Sequence, residues 1–132
     1  MTDHTAFAAL GDESFVSLTT FRKSGVAVST PVWVARDGDA LVVTTPQESG
    51  KVKRLRNSGR VELRPCSRMG KVADGAVPVA GVATIHADAA TRDRLTGVIR
   101  RKYGLEYRVM TFVESVVAKR TKERVILRIT AA

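Results

Sequence analysis

The chain has 132 residues, a length that predicts one domain over residues 1–132. With 44% hydrophobic and 27% charged residues, the composition excludes a disordered chain and is typical of a folded protein. The formal net charge of +9 favours an anionic partner, but the 5% aromatic content is low for a surface that stacks bases and argues against nucleic acid.

The first half of the chain is predicted to form an antiparallel meander. Residues 15–21 are rich in β-forming residues, 23–25 is a turn signal, and a second strand follows over 26–35. A second turn at 36–39 contains Asp-Gly, which tolerates the positive φ of a tight hairpin. A third strand is predicted over 40–44.

The second strand alternates between two kinds of side chain. One face, which we expect to be buried in the core, carries Val26, Val28, Thr30, Val32 and Val34. The other face carries Ala27, Ser29, Pro31 and Trp33. Because proline has no amide hydrogen for a strand ladder, Pro31 predicts an edge strand or a bulge.

The second half contains the predicted helices. In chain order we expect a loop over 45–50, a short helix over 51–56, a strand over 60–65, a loop over 68–77, a strand over 79–87, helices over 89–103 and 107–119, and a closing strand over 123–130. Six short strands with helices inserted late predict a mainly β protein, a small closed antiparallel barrel with flanking helices.

The densest positive charge lies between residues 51 and 71. This stretch contains Lys51, Lys53, Arg54, Arg56, Arg60, Arg64, Arg68 and Lys71, against the single acid Glu62. A loop that ends in Ser49-Gly50 and opens a helix presents main-chain amides and the positive end of a helix dipole to a phosphate or polycarboxylate, and Lys51 adds a full charge. The alternative interpretation is a solvated helix face that is basic for solubility.

A second candidate group is formed by Ser29, Thr30, Pro31 and Trp33. One interpretation is a flat platform for an isoalloxazine-type ring. The other is that Trp33 packs under a helix or in a dimer interface, where tryptophan is enriched.

The remaining reactive side chains form no legible catalytic or metal-binding motif. Cys66 is the only cysteine, which excludes an intrachain disulfide and favours a reducing, cytoplasmic location. Its thiol is either activated by Arg64 and Arg68 or a neutral group at a strand end. His4 and His86 have no ligand-spaced partner, so we predict no metal site. No apolar run is long enough to cross a bilayer.

Several motifs together resemble one family. Ser-Thr-Pro-Val-Trp at 29–33, Val-Thr-Thr at 43–45 and Ser-Gly-Lys-Val-Lys-Arg-Leu-Arg at 49–56 are similar, in order and spacing, to the deazaflavin-dependent branch of the pyridoxamine 5'-phosphate oxidase-like, FMN-binding split β-barrel proteins. Gly-Val-Ala-Thr-Ile-His at 81–86 and Arg-Val-Ile-Leu-Arg-Ile-Thr at 124–130 resemble the family's last strands. The resemblance implies a six-stranded antiparallel split barrel and a homodimer, with the cofactor in a groove between the two barrels.

The resemblance also implies which residues bind the cofactor. These are Ser29, Thr30, Pro31, Val32 and Trp33 along the ring system, Thr44 and Thr45 at a strand end, and Ser49, Gly50, Lys51 and Lys53 around the phosphate, with Lys51 as its main cation. Many relatives carry an arginine where this chain has Ser49. Coenzyme F420 has a phosphodiester and an oligoglutamate tail that Lys53, Arg54, Arg56 and Arg60 could contact, so the charge favours F420 over FMN.

The expected function is therefore an F420-dependent oxidoreductase. It would transfer a hydride from the reduced deazaflavin to a small electron-poor molecule such as an enone or quinone. The alternatives are an FMN-binding flavoprotein of the same fold, a cofactor or tetrapyrrole carrier without turnover, and a basic barrel that binds nucleic acid.

Overall fold

Runs of alternating apolar residues form seven strands, which join in one antiparallel sheet. The computed structural model describes residues 4–118 and 123–132. The helices are α1 His4–Ala9, α2 Gly50–Asn57, α3 Ala89–Tyr103 and α4 Leu105–Ala118. The strands are β1 Val16–Phe21, β2 Ala27–Val32, β3 Ala35–Asp37, β4 Ala40–Pro46, β5 Arg60–Pro65, β6 Val79–His86 and β7 Arg124–Ala131.

The second strand of the sequence prediction is divided in two. Its parts, β2 and β3, lie at opposite edges of the sheet, whose order is β2-β1-β5-β6-β7-β4-β3. Only Trp33 and Val34 connect these edges, and two residues span so short a distance that the sheet must curl to bring its edges together. The prediction of six strands in a closed barrel is therefore wrong. Seven strands form a curled half-barrel. Its two edge strands, β2 and β3, are consecutive in the chain but do not pair with each other through main-chain hydrogen bonds.

The edge position predicted from Pro31 is confirmed, because β2 pairs with β1 alone. Burial decreases toward the start of this strand. Val32 and Val34 are buried, whereas Val28 is half-buried and Val26 is 55% exposed. The expectation that all the valines lie in the core is wrong for Val26 and Val28, since a sheet edge gives them a neighbouring strand on one side only.

Two apolar clusters lie on opposite faces of the sheet. The inner core contains Phe7, Leu10, Val16, Leu18, Val32, Val34, Leu41, Val43, Leu55, Val61, Leu63, Ala83, Leu127 and Ile129. The outer cluster, between the sheet and α3 and α4, contains Ala35, Val42, Leu95, Ile99, Tyr103, Tyr107 and Ile126. The strand period of two explains this division, because consecutive residues such as Leu41 and Val42 point to opposite faces.

The predicted helices are largely confirmed. α3 has the predicted bounds; the Asp88 carboxylate caps its start by accepting from the Thr91 amide, and Gly104 ends it with a φ of 53°, which favours glycine. α4 begins at Leu105, two residues earlier than predicted, and its predicted end at Lys119 lies outside the described residues. α1 was not predicted. In the described parts of the chain, no helix has the length and apolar character needed to cross a membrane.

Candidate functional site

A cavity of about 630 Å³ lies where the ends of β2 and β4 approach α4. Most of its lining is apolar, and both its size and its character are typical of small-molecule sites. It is lined by Phe15, Pro31, Val32, Trp33, Thr44, Thr45, Pro46, Lys51, Arg68, Leu105, Glu106, Val109, Met110 and Arg124.

Trp33 forms one wall of this cavity. Its indole stacks on the Tyr103 ring, with centroids 4.5 Å apart and planes 10° from parallel, and meets the Tyr107 ring at 6.4 Å and 39°. Offset stacking of this kind stabilises two rings in a fixed relative position. Packing of Trp33 under a helix is therefore confirmed, while its use as a platform for a cofactor ring stays a prediction.

Positive side chains converge where β4 ends and α2 begins. Lys51 is in the first turn of α2, and Arg124 is the first residue of β7. Arg124 donates from Nε to the Thr44 hydroxyl at 3.0 Å and from Nη2 to the Thr44 carbonyl at 3.3 Å. Burial lowers the pKa of Lys51, and the charges of Arg54 and Arg124 lower it further. We call Lys51 and Arg124 the cationic corner; a bound anion would relieve the repulsion there.

A local hydrogen-bond network fixes the start of α2. The Ser49 hydroxyl accepts from the Val52 amide at 3.4 Å, as an N-cap does, and from the Thr45 hydroxyl at 3.2 Å. A Cβ at Gly50 would lie 2.8 Å from Nη1 of Arg54, so glycine leaves room for that guanidinium. Arg54 also donates from Nε to the Thr20 hydroxyl at 2.6 Å, which ties α2 to β1.

The cavity brings together half of the residues predicted to bind a cofactor. Pro31, Val32, Trp33, Thr44, Thr45 and Lys51 line it, whereas Ser29, Thr30, Ser49, Gly50, Lys53 and Arg56 do not. The Ser29 hydroxyl is hydrogen-bonded to that of Thr19 at 2.7 Å. Thr30 lies on the inner face of β2, opposite Leu18, and its buried hydroxyl has no hydrogen-bond partner among the described residues. Lys53 and Arg56 are exposed on α2.

Two of the four charged residues proposed for a glutamate tail have side-chain contacts of their own. Arg54 is bonded to Thr20 as described, and the Arg60 guanidinium lies 4.0 Å from the centroid of the Phe21 ring and 3.9 Å from the Glu62 carboxylate. Arg54 is thus held by Thr20, whereas Lys53, Arg56 and Arg60 remain exposed.

Sequence reasoning missed one wall of the cavity and one of its cations. The wall is the face of α4 that carries Leu105, Glu106, Val109 and Met110. The cation is Arg124, which reaches the corner because β7 pairs with β4 so that Arg124 faces Pro46. The spacing of apolar residues in α4 is a signal that could have indicated a packed helix face, but the pairing of β7 with β4 has no local signal.

The surroundings of Cys66 disfavour the thiolate. Burial raises its pKa, and the nearby Glu13 raises it further. The interpretation in which Arg64 and Arg68 activate the thiol is therefore wrong. Arg68 instead lines the cavity and lies 5.7 Å from the centroid of the Phe15 ring.

Solved structures with this fold share little sequence with the chain. The conserved hypothetical protein Rv2991 from Mycobacterium tuberculosis is 23% identical, with a TM-score of 0.69 over 99% of this chain and 81% of its own. An F420 reductase is 18% identical, with a TM-score of 0.60, and the match covers 96% of this chain and 93% of the reductase chain. The heme storage protein HutZ from Vibrio cholerae is 11% identical, with a TM-score of 0.63, and the match covers 100% of this chain and 92% of the HutZ chain. Similarities this low show the fold alone.

No curated protein sequence matches this chain. The sequence profile of one family, Pyridoxamine 5'-phosphate oxidase, matches residues 2–132. The match covers nearly the entire chain and agrees with the curled antiparallel sheet and its flanking helices. The chain therefore belongs to the pyridoxamine 5'-phosphate oxidase family.

Proposed function

We propose that this protein is an F420-dependent oxidoreductase that binds the deazaflavin in the cavity beside Trp33. The observation that carries the proposal is the composition of this cavity: apolar walls are joined to a cationic corner where Lys51 has no ion pair with the described residues. A planar ring with an anionic side chain matches both parts. The F420 reductase among the solved structures supports the proposal at the level of the fold.

The residues present fit such a cofactor. Lys51 and Arg124 would hold a phosphate, assisted by the first-turn amides of α2 other than that of Val52, which already donates to the Ser49 hydroxyl. Trp33 and Pro31 on one side and Val109 and Met110 on the other would enclose the ring. When bound, the reduced deazaflavin supplies the hydride, and the protein supplies orientation and a cavity from which water is displaced.

The chain offers few groups for proton transfer. Glu106 is the only carboxylate that lines the cavity in the described part of the chain, and it is exposed. We therefore propose that the contribution of the chain to catalysis is binding and orientation, and that the cofactor carries the redox chemistry.

The proposal includes a homodimer. Leu105, Val109 and Phe112 of α4 are 73%, 53% and 69% exposed, and they follow one another at the spacing of one helix face. Leu105 and Val109 also line the cavity. A second copy that covered this face would remove apolar surface from water and enclose the cavity.

FMN is the second candidate. Its single phosphate needs only the cationic corner, and the side chains that were expected to bind the longer F420 tail lie outside the cavity. This observation favours the smaller anion and gives the FMN-binding flavoprotein a physical basis.

A comparative titration tests the proposal. Purified protein is titrated with F420 and with FMN, and the oxidation of reduced F420 is followed with an enone or a quinone. We expect saturable F420 binding and turnover. Preferential binding of FMN would identify FMN, in place of F420, as the cofactor. Binding of F420 without turnover would favour a carrier. Absence of binding by both cofactors would overturn the proposal.

A further inference from the structure

Val34 lies between the two strands that form the sheet edges, outside both ladders. Its main-chain groups find their partners in α3. The Val34 amide donates to the Tyr103 hydroxyl at 2.9 Å, and the Val34 carbonyl accepts from Nζ of Lys102 at 2.6 Å. Buried main-chain groups without a partner are strongly unfavourable, so these side chains replace the strand that is missing at this point.

The same two side chains bind the segment that precedes β1. Lys102 Nζ also donates to the carbonyls of Gly11, at 2.7 Å, and Glu13, at 2.5 Å. An ammonium group has three hydrogens, and here it meets three carbonyls. The Tyr103 hydroxyl lies 2.8 Å from the carbonyls of Ser14 and Val34 and donates its one hydrogen to either. We call Lys102 and Tyr103 the clamp, because they join the end of α3 to two separate chain segments.

The clamp is next to the cavity without being part of it. Trp33 lines the cavity, whereas Tyr103 does not. The Tyr103 ring stacks on the Trp33 indole, with the ring centroids at the 4.5 Å already described. The hydroxyl of the same tyrosine holds Val34, the residue after Trp33. Tyr103 therefore fixes both the side chain of Trp33 and the main chain of Val34.

We infer that Tyr103 is a positioning residue, which, together with Lys102, holds the Trp33 indole as a wall of the cavity and thereby controls the affinity for a planar anionic cofactor. The identity of that cofactor rests on the proposed function; the positioning of Trp33 does not. Burial raises the pKa of Tyr103 to about 12, so the hydroxyl keeps its hydrogen at neutral and mildly alkaline pH.

The sole tryptophan of the chain provides a direct measurement. Trp33 emission and its quenching by acrylamide are compared in the wild type, Tyr103→Phe and Tyr103→Leu. Phenylalanine keeps the stacked ring but leaves the Val34 amide without its partner, and leucine removes both contacts. We expect quenching to increase in Tyr103→Phe and to increase further in Tyr103→Leu, with a shifted emission maximum in the latter.

Leu95→Ala is the matched control. Leu95 is fully buried in the same helix and the same cluster, so its truncation lowers the melting temperature without removing a bond to Val34 or the stack on Trp33. We expect this variant to melt earlier while its Trp33 emission and quenching stay those of the wild type. Equal quenching in all variants, or an equal change in Leu95→Ala, would overturn the inference.

Titration with F420 and with FMN completes the test. We expect affinity to fall by about tenfold in Tyr103→Leu and by less in Tyr103→Phe, and to be unchanged in Leu95→Ala. If Trp33 moves but affinity does not, the control of binding is refuted. If the wild type binds neither cofactor, the proposed function fails, and the emission data alone still decide whether Tyr103 positions Trp33.

Discussion

The inner core and the cavity are made of different kinds of side chain, although they share Val32. The inner core is built mainly from apolar side chains, and residues such as Leu18 and Leu63 are fully buried. The cavity is lined by Trp33, which stacks on Tyr103 of the outer cluster, and by the cation Lys51. The difference indicates that the inner core supplies most of the stability, while the cavity holds specific groups in position. Substitutions should therefore separate the two roles.

The largest effect is expected in the inner core. Leu63→Ala leaves a cavity at a fully buried position and should lower the free energy of unfolding by about 3 kcal/mol. Urea denaturation measures this change. Val26→Ala is the control, because Val26 is 55% exposed and should change stability by less than about 0.5 kcal/mol. Similar losses in the two variants would contradict the division into a buried centre and an open edge.

At the cavity, Lys51→Ala should weaken binding of F420 or FMN more than about tenfold, since a hydrogen bond to a charged group contributes about 1.5–3 kcal/mol. Lys53→Ala is the control on the same helix, because Lys53 is exposed and does not line the cavity. Calorimetric titration measures both affinities. Equal losses would mean that the ligand responds to overall charge and not to the cationic corner.

The lowered pKa of Lys51 adds a pH dependence to this prediction. The ammonium form is lost at a lower pH than in an ordinary lysine of pKa 10.5, so affinity for an anion should start to decrease earlier as the pH rises. Lys51→Ala should lack this part of the decrease. An identical pH profile in both proteins would show that the anion does not contact Lys51.

The two members of the cationic corner differ in how far the sequence could predict them. Lys51 follows a strand end, a loop and a capping serine within a few residues, and this local pattern is sufficient to predict a helix start. Arg124 reaches the same place only because β7 pairs with β4. Such long-range pairing depends on the packing of the entire sheet, so no short stretch of sequence contains it.

The division of the second strand shows a similar limit. Every second residue from Val26 to Val34 is a valine, except Thr30, so the period of two predicts one strand. The chain keeps this alternation while it changes from one sheet edge to the other, at a point where Lys102 and Tyr103 take over its hydrogen bonds. Periodicity reports which face a residue occupies but not which strand is its neighbour.

A smaller effect is expected from Ser49→Ala, which removes the cap of α2. Loss of an N-cap serine lowers stability by about 1 kcal/mol, and it should also weaken cofactor binding slightly because the start of α2 carries Lys51. Thermal melting and titration measure the two effects. Ser24→Ala, in the exposed turn after β1, is the control. A loss of stability no greater than that of the control would refute the role of Ser49 as a cap.

The smallest effect is expected from Asp37→Asn, which removes an ionic tie of the outer layer. Asp37 accepts from Arg94 of α3 and from Arg128 of β7, both at 3.2 Å. Because Arg94 is exposed, the tie should contribute less than about 1 kcal/mol at neutral pH.

The acid range distinguishes this tie from the inner core. The hydrogen bond from Arg94, followed by the contribution of Arg128, lowers the pKa of Asp37 below its ordinary value of 3.8, although partial burial opposes the shift. A lowered pKa in the folded state adds stability above the ordinary pKa, and this stability is lost as the pH falls through the lowered value. The difference in melting temperature between wild type and Asp37→Asn should therefore shrink in acid. The difference caused by Leu63→Ala should not, since the buried polar side chains among the described residues are hydroxyls of serine and threonine and do not titrate in this range. A pH-independent effect of Asp37→Asn would show that packing, and not charge, holds α3 to the outer face.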